Sequence, residues 1–369
     1  MSIVRSGLVL AGGVATAAAF TVYGESWLDH SAGLLTGLLL FLWLLVTMGT
    51  CAFTAIEHAD ELAERMGEPF GTLLLTLSVV TIEVVLIAMI MSTGETNPTL
   101  ARDTMFSVLM IVLNAMVGTS LLVGGLAHGR QEYNLEGARS YLSVILPLAV
   151  IPLILPRFTV STADASLSAP QSIAFALFTV LLYGVFLALQ TMRHRSFFED
   201  PVHPDAHQPE PDHPAPHGKG STLTHLAFLV MLLVPFVVMA EELANYVDYG
   251  IAVLGAPATI GGILIASLVL LPEAVSAFKS ARANRLQRSV NICLGSALST
   301  IGLTIPTVLL IGLLTGHPII LGLDDSDIVL LATTLFLSVL TFSGGRTNVL
   351  LGLVHIVMFA VFLVLAVNP

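Results

Sequence analysis

Apolar runs of about 20 residues, the length that crosses the hydrocarbon core of a bilayer as one α-helix, recur along the whole chain between short polar segments. The pattern predicts an all-α, polytopic membrane protein with eleven transmembrane helices. The predicted spans are 6–23, 31–55, 69–92, 104–127, 140–156, 171–192, 223–247, 255–278, 289–314, 328–343 and 346–367.

The first span also fits a second interpretation. Arg5 precedes an apolar stretch that ends in small residues, which is the pattern of a secretory signal peptide. The order and direction of the later spans are the same in both cases.

Composition excludes a soluble domain. Of 369 residues, 55% are hydrophobic and 11% are charged, and the mean hydropathy is +0.90. The expected partner is therefore the lipid bilayer, and the net charge of −11 gives no indication of nucleic acid binding. Cys51 and Cys293 both fall inside apolar runs, so no disulfide framework is indicated.

The basic residues set the orientation of the spans. If the N-terminus is cytoplasmic, twelve of the fourteen Lys and Arg residues lie in cytoplasmic loops, and only Arg102 and Arg157 lie outside. Such a bias is the positive-inside signal of membrane proteins. We therefore predict a cytoplasmic N-terminus and an external C-terminus.

Two apolar stretches resemble each other and carry one acidic residue each. Gly67–Ser92 contains Glu83, and Gly255–Phe278 contains Glu273 at the matching position. Both stretches open with Gly-x-Pro, and proline at a helix start costs no hydrogen bond. We interpret the match as an internal repeat.

The repeat predicts the domain organisation. After the first span, five spans lie in each half, and five is odd, so the second half enters the membrane in the opposite direction. This inverted repeat is the architecture of many secondary transporters, whose ion site lies near the midplane. The predicted parts are an N-terminal helix with its outer loop at 1–30, repeat 1 at 31–192, a linker at 193–222 and repeat 2 at 223–369.

Glu83 and Glu273 are the primary candidate site residues. A carboxylate at the centre of a membrane helix costs about 2.5 kcal/mol or more, and such residues mark function by default. Facing each other, the two glutamates would offer hard oxygen ligands to Ca²⁺ or a smaller cation. The alternative is that each glutamate is a structural hydrogen-bonding group between helices.

Neutral oxygens are expected to complete the cation shell. Asn114 and Ser296 align between the two repeats and come first, and Pro272 is expected to kink the Glu273 helix and free a carbonyl. The accessory candidates are Thr81, Ser78, Ser267, Ser299 and Thr300. Small polar residues also hold membrane helices together without binding anything, which is the alternative for each of them.

Acidic clusters precede both glutamate helices, on opposite membrane faces. We expect these vestibules to concentrate cations, although solvated helix ends explain the outermost acids equally well. The vestibule residues are Glu57, His58, Asp60 and Glu61 on the inner side and Glu241 and Glu242 on the outer side. His355, alone in the last span, is interpreted as a packing histidine rather than a proton carrier.

The segment 193–220 is of low complexity. It contains six prolines, five histidines and five acidic residues, which predicts a disordered cytoplasmic linker. Removing Phe198–Gly218 is therefore expected to leave transport largely intact. The alternative is weak capture of divalent metal by its histidines and carboxylates.

Taken together, these residues resemble the calcium/cation antiporter superfamily, in particular its bacterial ChaA-type branch. The resemblance covers most of the chain. Its most specific pieces are Glu57–Asp60 followed by Leu62, Gly67-Glu68-Pro69 with the Glu83 helix, Leu271-Pro272-Glu273, Gln287–Gly295 with Ser296, and Ser343–Val349.

The resemblance implies one N-terminal helix plus two inverted five-helix repeats. It also implies exchange of Ca²⁺, and in this branch Na⁺ or K⁺, for protons, with the family's paired glutamates at Glu83 and Glu273. The Gly-Asn-x-x-Glu pattern of vacuolar-type relatives is not kept, because Val80 and Leu270 stand at the asparagine positions. Strict selectivity for Ca²⁺ is thus not implied, and monovalent transport is left open.

The leading hypothesis is cation/proton antiport across the bacterial inner membrane, in which protons and the cation compete for the same carboxylates. No cofactor is expected, since the chain has no phosphate-binding G-x-x-x-x-G-K-[ST] loop, and no H-E-x-x-H motif suggests an enzyme. The alternatives are a transition-metal (zinc-like) transporter and a passive cation channel. The oligomeric state is not predicted.

Overall fold

A computed structural model describes most of the chain. The described residues are 3–29, 33–66, 80–81, 84, 98–162, 165–199, 221–255, 257, 259–316 and 319–368. Most of the third predicted span therefore lies outside the described residues, including Ser78 and Glu83. Of that span, Val80, Thr81 and Val84 are described, and they are helical.

The described chain is almost entirely helical, and each of the other ten predicted spans coincides with a helix. The helices are α1 Ile3–Asp29, α2 Leu34–Met66, α3 Leu100–Met110, α4 Val117–His128, α5 Leu135–Leu153, α6 Ala169–Ala188, α7 Thr222–Leu254, α8 Thr259–Arg282, α9 Leu286–Ser299, α10 Ile305–Thr315, α11 Asp325–Thr341 and α12 Val349–Val367.

Some of these helices continue through π-helical turns. Ile111–Met116 joins α3 to α4, and Thr300–Thr304 joins α9 to α10, so each pair forms one membrane-length rod. Leu189–Arg193 extends α6 in the same way. Within the described ranges, nine helical segments are long and apolar enough to cross a membrane. The tenth helix that matches a predicted span, α11, has 17 residues.

Short 3₁₀ turns and two short strands lie between the helices in the described ranges. Leu155–Phe158 and Arg195–Phe198 form 3₁₀ turns. Strands β1 (Gln131–Glu132) and β2 (Arg346–Thr347) pair antiparallel, with Gln131 opposite Thr347.

Side chains at the helix ends explain several boundaries. The Asn134 side chain accepts a hydrogen bond from the backbone N–H of Glu136 at the start of α5, and Asn348 does the same for Leu351 at the start of α12. Gly255 ends α7 in the left-handed region, with φ of 64°, which glycine adopts without strain.

The buried side chains form two separate apolar clusters. The larger cluster joins α3 to α6 with α8 to α12. The smaller cluster joins α1, α2 and α7, and reaches α8 through Ile265, Leu268 and Val269. The α1–α2–α7 body is therefore a packing unit of its own, beside the body that contains the rest of the described helices.

Loops predicted to lie on the cytoplasmic face contact one another. At the end of α4, His128 Nε2 lies 2.7 Å from the backbone oxygen of Arg282, at the end of α8. Arg346 Nε donates to Glu132 Oε1 at 2.8 Å, across the β1–β2 pair. These contacts place three predicted inner loops at one end of the helices.

Loops predicted to lie outside are likewise grouped. Arg102 Nη1 donates to the backbone oxygen of Gly322 at 3.0 Å, and Arg157 Nε donates to Asp325 Oδ1 at 3.3 Å. The N–H of Ile320 donates to the Pro98 oxygen at 2.9 Å. The grouping at both ends matches the predicted alternation of the spans.

The beginning of the predicted linker differs from the expectation of disorder. The Asn291 side chain donates to the Phe198 oxygen at 2.7 Å, and the Phe198 ring makes an edge contact with Tyr141, with centroids 5.2 Å apart. A Cβ at Gly137 would lie 2.1 Å from the Phe197 backbone oxygen, so only glycine at position 137 leaves room for the backbone of this segment. Two apolar residues thus anchor the linker's start, and Phe198 belongs to the packed protein.

Deleting 201–218 should therefore leave cation exchange within about twofold of wild type, because this part has the composition of a solvated tether. Phe198→Ala is the matched control and should lower the thermal stability of the purified protein, since it removes a ring packed between helices. Transport in vesicles and the melting temperature check the two arms. Loss of exchange on deletion, with normal expression, would assign the loop a role in transport.

Candidate functional site

Glu273 lies between two helices and is bonded to the predicted partner Ser296. Its Oε2 accepts a hydrogen bond from Ser296 Oγ at 2.5 Å, which joins the middle of α8 to α9. The Ser296 side chain is buried, and Glu273 is partly buried. The pair therefore presents a carboxylate and a hydroxyl inside the helical body.

The chain around the pair departs from regular α-helical bonding. α8 continues through Pro272, which has no N–H and so cannot donate to the carbonyl of Leu268. The π-helical turn Thr300–Thr304 begins one turn beyond Ser296, and Ile111–Met116 holds the second predicted ligand, Asn114. π-helical turns inside α-helices are frequent at functional sites.

Asn114 is fully buried and is the centre of a row of polar side chains. Its Nδ2 donates to Thr334 Oγ1 at 2.9 Å, and its Oδ1 lies 3.2 Å from His355 Nδ1. The other ring nitrogen, His355 Nε2, lies 2.9 Å from Thr341 Oγ1. The Asn114 amide is thus held by α11 and α12, whereas Ser296 bonds Glu273.

The chemistry of the Asn114 amide determines which atom donates in each hydrogen bond of this row. An amide oxygen only accepts, so His355 Nδ1 carries a proton and donates to Asn114. In a neutral ring Nε2 then accepts from the Thr341 hydroxyl. Both nitrogens of His355 are in use, which agrees with its interpretation as a satisfied, buried histidine. The ring is thus hydrogen-bonded to the Asn114 amide on one side and to Thr341 on the other.

A close glycine contact lies next to this row. A Cβ at Gly352 would lie 2.7 Å from the backbone nitrogen of Leu122 and 2.8 Å from the Gly118 oxygen. Gly352 precedes His355 by one turn, and Gly118 follows Asn114 by one turn. The two backbones touch here, as small residues allow in membrane helices, and this approach brings His355 to Asn114.

The other predicted ligands have different surroundings. Ser299 is buried and its hydroxyl donates to the Ser296 oxygen at 3.1 Å, and Thr300, also buried, opens the π-helical turn. Ser267 is partly buried on α8, and Thr81 is exposed. Ser78 and Glu83 lie outside the described residues, so their approach to Glu273 stays a prediction.

The predicted vestibule residues also differ from one another. Glu57 is exposed, whereas His58 is 1% exposed and Glu61 is paired with Arg65 at 3.0 Å. The Glu242 carboxylate lies against Gly24 of α1, where a Cβ would be 2.6 Å from Oε2. The side chains of Asp60 and Glu241 are not among those described. A role of this set in concentrating cations stays a prediction.

No group of three His, Cys, Asp or Glu side chains in the described ranges could hold a metal ion. Among the predicted ligands in these ranges, the one carboxylate, Glu273, contacts the Ser296 hydroxyl, and the Asn114 amide contacts Thr334 and His355. Val80 and Leu270, at the positions where vacuolar-type relatives carry asparagine, are both buried apolar residues, 3% and 2% exposed.

The sequence analysis did not predict which residues surround Asn114. They are Thr334 and His355, with Thr341 on the far side of the His355 ring. Thr334, Ser338 and Thr341 recur at helical spacing on one face of α11, and all three are buried. That polar stripe in an apolar span was the available signal.

The fold and the site define a class: a multi-pass membrane protein with a partly buried carboxylate at a contact of two helices, and with π-helical turns in neighbouring membrane helices. The chain matches the sodium/calcium exchanger protein family over residues 36–192 and again over 224–368. It belongs to this family.

Two curated relatives extend over most of the chain. "Putative ionic transporter y4hA" of Sinorhizobium fredii is 40% identical over 340 residues, which cover 92% of this chain and 88% of the relative. The sodium-potassium/proton antiporter ChaA of Escherichia coli is 39% identical over 319 residues, which cover 86% of each.

Solved structures share the fold at lower identity. The structure of native YfkE superimposes with a TM-score of 0.74 at 18% identity, covering 99% of this chain and 100% of that one. The H⁺/Ca²⁺ exchanger CAX gives a TM-score of 0.68 at 16% identity, covering 98% and 89%. At this identity the likeness concerns the fold alone.

Proposed function

We propose that this protein is a secondary antiporter that exchanges an inorganic cation, Ca²⁺, Na⁺ or K⁺, for protons at a site containing Glu273. The observation that carries the proposal is the Glu273–Ser296 pair, a carboxylate held by a hydroxyl at the contact of α8 and α9. Carboxylate and hydroxyl oxygens are ligands of hard cations, and the carboxylate also takes up a proton. Proton and cation would therefore compete for one group, so each is carried in turn.

The second carboxylate of the proposed site is Glu83. Two features support its role: its alignment with Glu273, and the separate match of the family to each half of the chain. The matched segments nearly coincide with the proposed repeats at 31–192 and 223–369. In an inverted pair, Glu83 would approach Glu273 from a helix of opposite direction.

The choice of cation follows from the supply of oxygen ligands. Ca²⁺ takes six to eight oxygens, and Val80 and Leu270 remove two amide groups that vacuolar-type relatives supply. This shortage supports transport of Na⁺ or K⁺ beside Ca²⁺. The printed function of the ChaA relative, sodium-potassium/proton antiport, points in the same direction.

The remaining assignments are part of the same proposal. The protein would work in the bacterial inner membrane, with lipid, inorganic cations and protons as its partners. It would need no cofactor and would perform no enzymatic reaction, because the gradient of one ion drives the movement of the other.

The test uses the full-length protein in vesicles with a preset pH gradient and an internal pH dye. Addition of Ca²⁺, Na⁺ or K⁺ should dissipate the gradient, with an apparent affinity that gives the order of preference. Cation uptake without proton movement would indicate a passive channel. A response to Zn²⁺ alone would indicate a transition-metal transporter, and either result would overturn the proposal.

A further inference from the structure

A second group of titratable side chains lies where α1, α2 and α7 meet, on helices other than those that carry Glu273 and Ser296. His58 of α2 and His225 of α7 are 1% and 2% exposed, and their Nδ1 atoms are 2.8 Å apart. His58 Nε2 lies 2.9 Å from Ser6 Oγ of α1. Arg65 Nη2 lies 3.3 Å from His225 Nε2 and 3.0 Å from Glu61 Oε1. We call these five residues the histidine row.

The histidine row has only one arrangement of protons that satisfies every contact. Arginine is a donor with no acceptor, so Nε2 of His225 must be unprotonated. A neutral His225 then carries its proton on Nδ1 and donates it to Nδ1 of His58. His58 in turn carries its proton on Nε2 and donates to Ser6. Both histidines are therefore neutral in the intact row.

A further proton cannot be added without breaking the row. On His58 it would occupy Nδ1 and face the N–H of His225 at 2.8 Å. On His225 it would occupy Nε2 and face the cationic Arg65. If His225 changed tautomer to relieve the first conflict, it would create the second. Proton binding and loss of one contact are thus coupled, whichever histidine takes the proton.

Charged groups from α1 and α2 act on the pair. From α2, Arg65 opposes a further positive charge and Glu61 favours it, and from the side of α1 the amino-terminal charge opposes it. From α7, the apolar residue Phe228 also contacts His58. The two rings are stacked, with their centroids 5.1 Å apart and 4° between their planes. The pair is therefore shielded by an aromatic face on one side.

The location of the row gives proton binding a structural consequence. Ser6, His58 and His225 lie at the ends of α1, α2 and α7 that the charge bias places in the cytoplasm. These three helices form the smaller apolar cluster, separate from the cluster that surrounds Asn114 and Ser296. The row fastens one end of this body, and it also joins α1 to the two proposed repeats.

We propose that His58 and His225 form a second proton-binding site, distinct from the transport site, whose protonation from the cytoplasm releases the ends of α1, α2 and α7 from each other. The ligand is the proton itself, and the row is intact at neutral and alkaline pH and opens only in acid, because burial disfavours the charged rings. This inference does not depend on which cation is transported, and its first test needs no transport measurement.

Hydrogen–deuterium exchange of the full-length protein tests the site directly. Peptides at the starts of α1 and α7 are compared with a peptide from α9, after correction for the intrinsic pH dependence of amide exchange. Between about pH 8 and pH 4, a range that extends below the ordinary titration of histidine because burial disfavours the charged rings, exchange at α1 and α7 should rise at least about fivefold while α9 stays constant. A flat wild-type profile at α1 and α7 overturns the proposal.

His225→Gln is the informative variant, because glutamine keeps a donor and an acceptor but does not titrate in this range. Because only His58 is left to take up a proton, exchange at α1 of this variant should respond to acid less than that of wild type, and an unchanged acid response would overturn the proposal. In inside-out vesicles its cation exchange at alkaline pH should equal that of wild type, with a shallower dependence on cytoplasmic pH. Equal steepness in both proteins would also contradict a second proton site.

Discussion

Glu273→Gln should abolish proton-coupled cation exchange while the protein still folds and inserts. Glutamine matches glutamate in size and can still accept a hydrogen bond from Ser296, so the contact between α8 and α9 is kept. The change removes the negative charge, and with it both the anionic cation ligand and the group that takes up the proton. Loss of one charged partner in a desolvated binding contact costs about 3 kcal/mol of binding free energy, roughly 100-fold in affinity.

The measurement is the initial rate of gradient dissipation in vesicles with matched protein content. Glu57→Gln is the control. Glu57 is exposed on α2, so the substitution removes the same charge from the surface of the protein. It should change only the apparent cation affinity, and less so at high salt, since surface charge is screened over about 8 Å at physiological ionic strength. Near wild-type exchange in Glu273→Gln would mean that this glutamate is a packing residue.

The position of Glu273 was predictable because the signal is local and costly. One acid in an apolar run is rare, and its recurrence in a second run points to function before any contact is known. Ser296 was chosen from the match between the helices that follow, where it aligns with Asn114, and it bonds Glu273. Repetition in sequence thus singled out two residues that contact each other across α8 and α9, although their contact itself was not predicted.

The surroundings of Asn114 were not predictable in this way. Its partners Thr334 and His355 lie 220 and 241 residues further along the chain, on helices whose rotation about their axes is set by packing. The π-helical turn at Asn114 also changes which face the side chain presents, and hydrophobic periodicity does not show such a turn. Span positions follow from composition, but side-chain direction requires the packed structure.

The start of the linker shows the same limit at a boundary. Composition identified 193–220 as one polar segment, because prolines, histidines and acids dominate it. The two phenylalanines at its beginning contribute little to the composition of the whole segment. Phe198 nevertheless packs against Tyr141 and Phe186. Averages over a window hide single anchoring residues.

The residues of the predicted inner vestibule differ in burial, although they are neighbours in sequence. His58 was grouped with its acidic neighbours because it stands among them in sequence. Helical geometry separates them: Glu57 is exposed, whereas His58, the next residue, turns inward to His225. Adjacent residues on a helix do not face each other, so sequence proximity alone could not distinguish a vestibule from a buried proton site.

Gly352→Val should lower both stability and exchange, because the substitution puts a branched side chain where two backbones touch. A Cβ alone would lie 2.7 Å from the backbone nitrogen of Leu122 and 2.8 Å from the Gly118 oxygen, and backbone atoms cannot turn away as a side chain can. Overpacking of this kind costs about 1–3 kcal/mol. The separation of α12 from α4 would also move His355 away from Asn114, so the amide would lose its orientation.

Gly184→Val on α6 is the matched control, since a Cβ there meets no heavy atom within 4 Å in the described part of the chain. Thermal unfolding in detergent should show a lower melting temperature for Gly352→Val only, and the vesicle assay should show a lower maximal rate for the same variant. Equal melting temperatures and rates for the two variants would show that the approach of α4 and α12 is loose, and that His355 does not depend on it to hold Asn114.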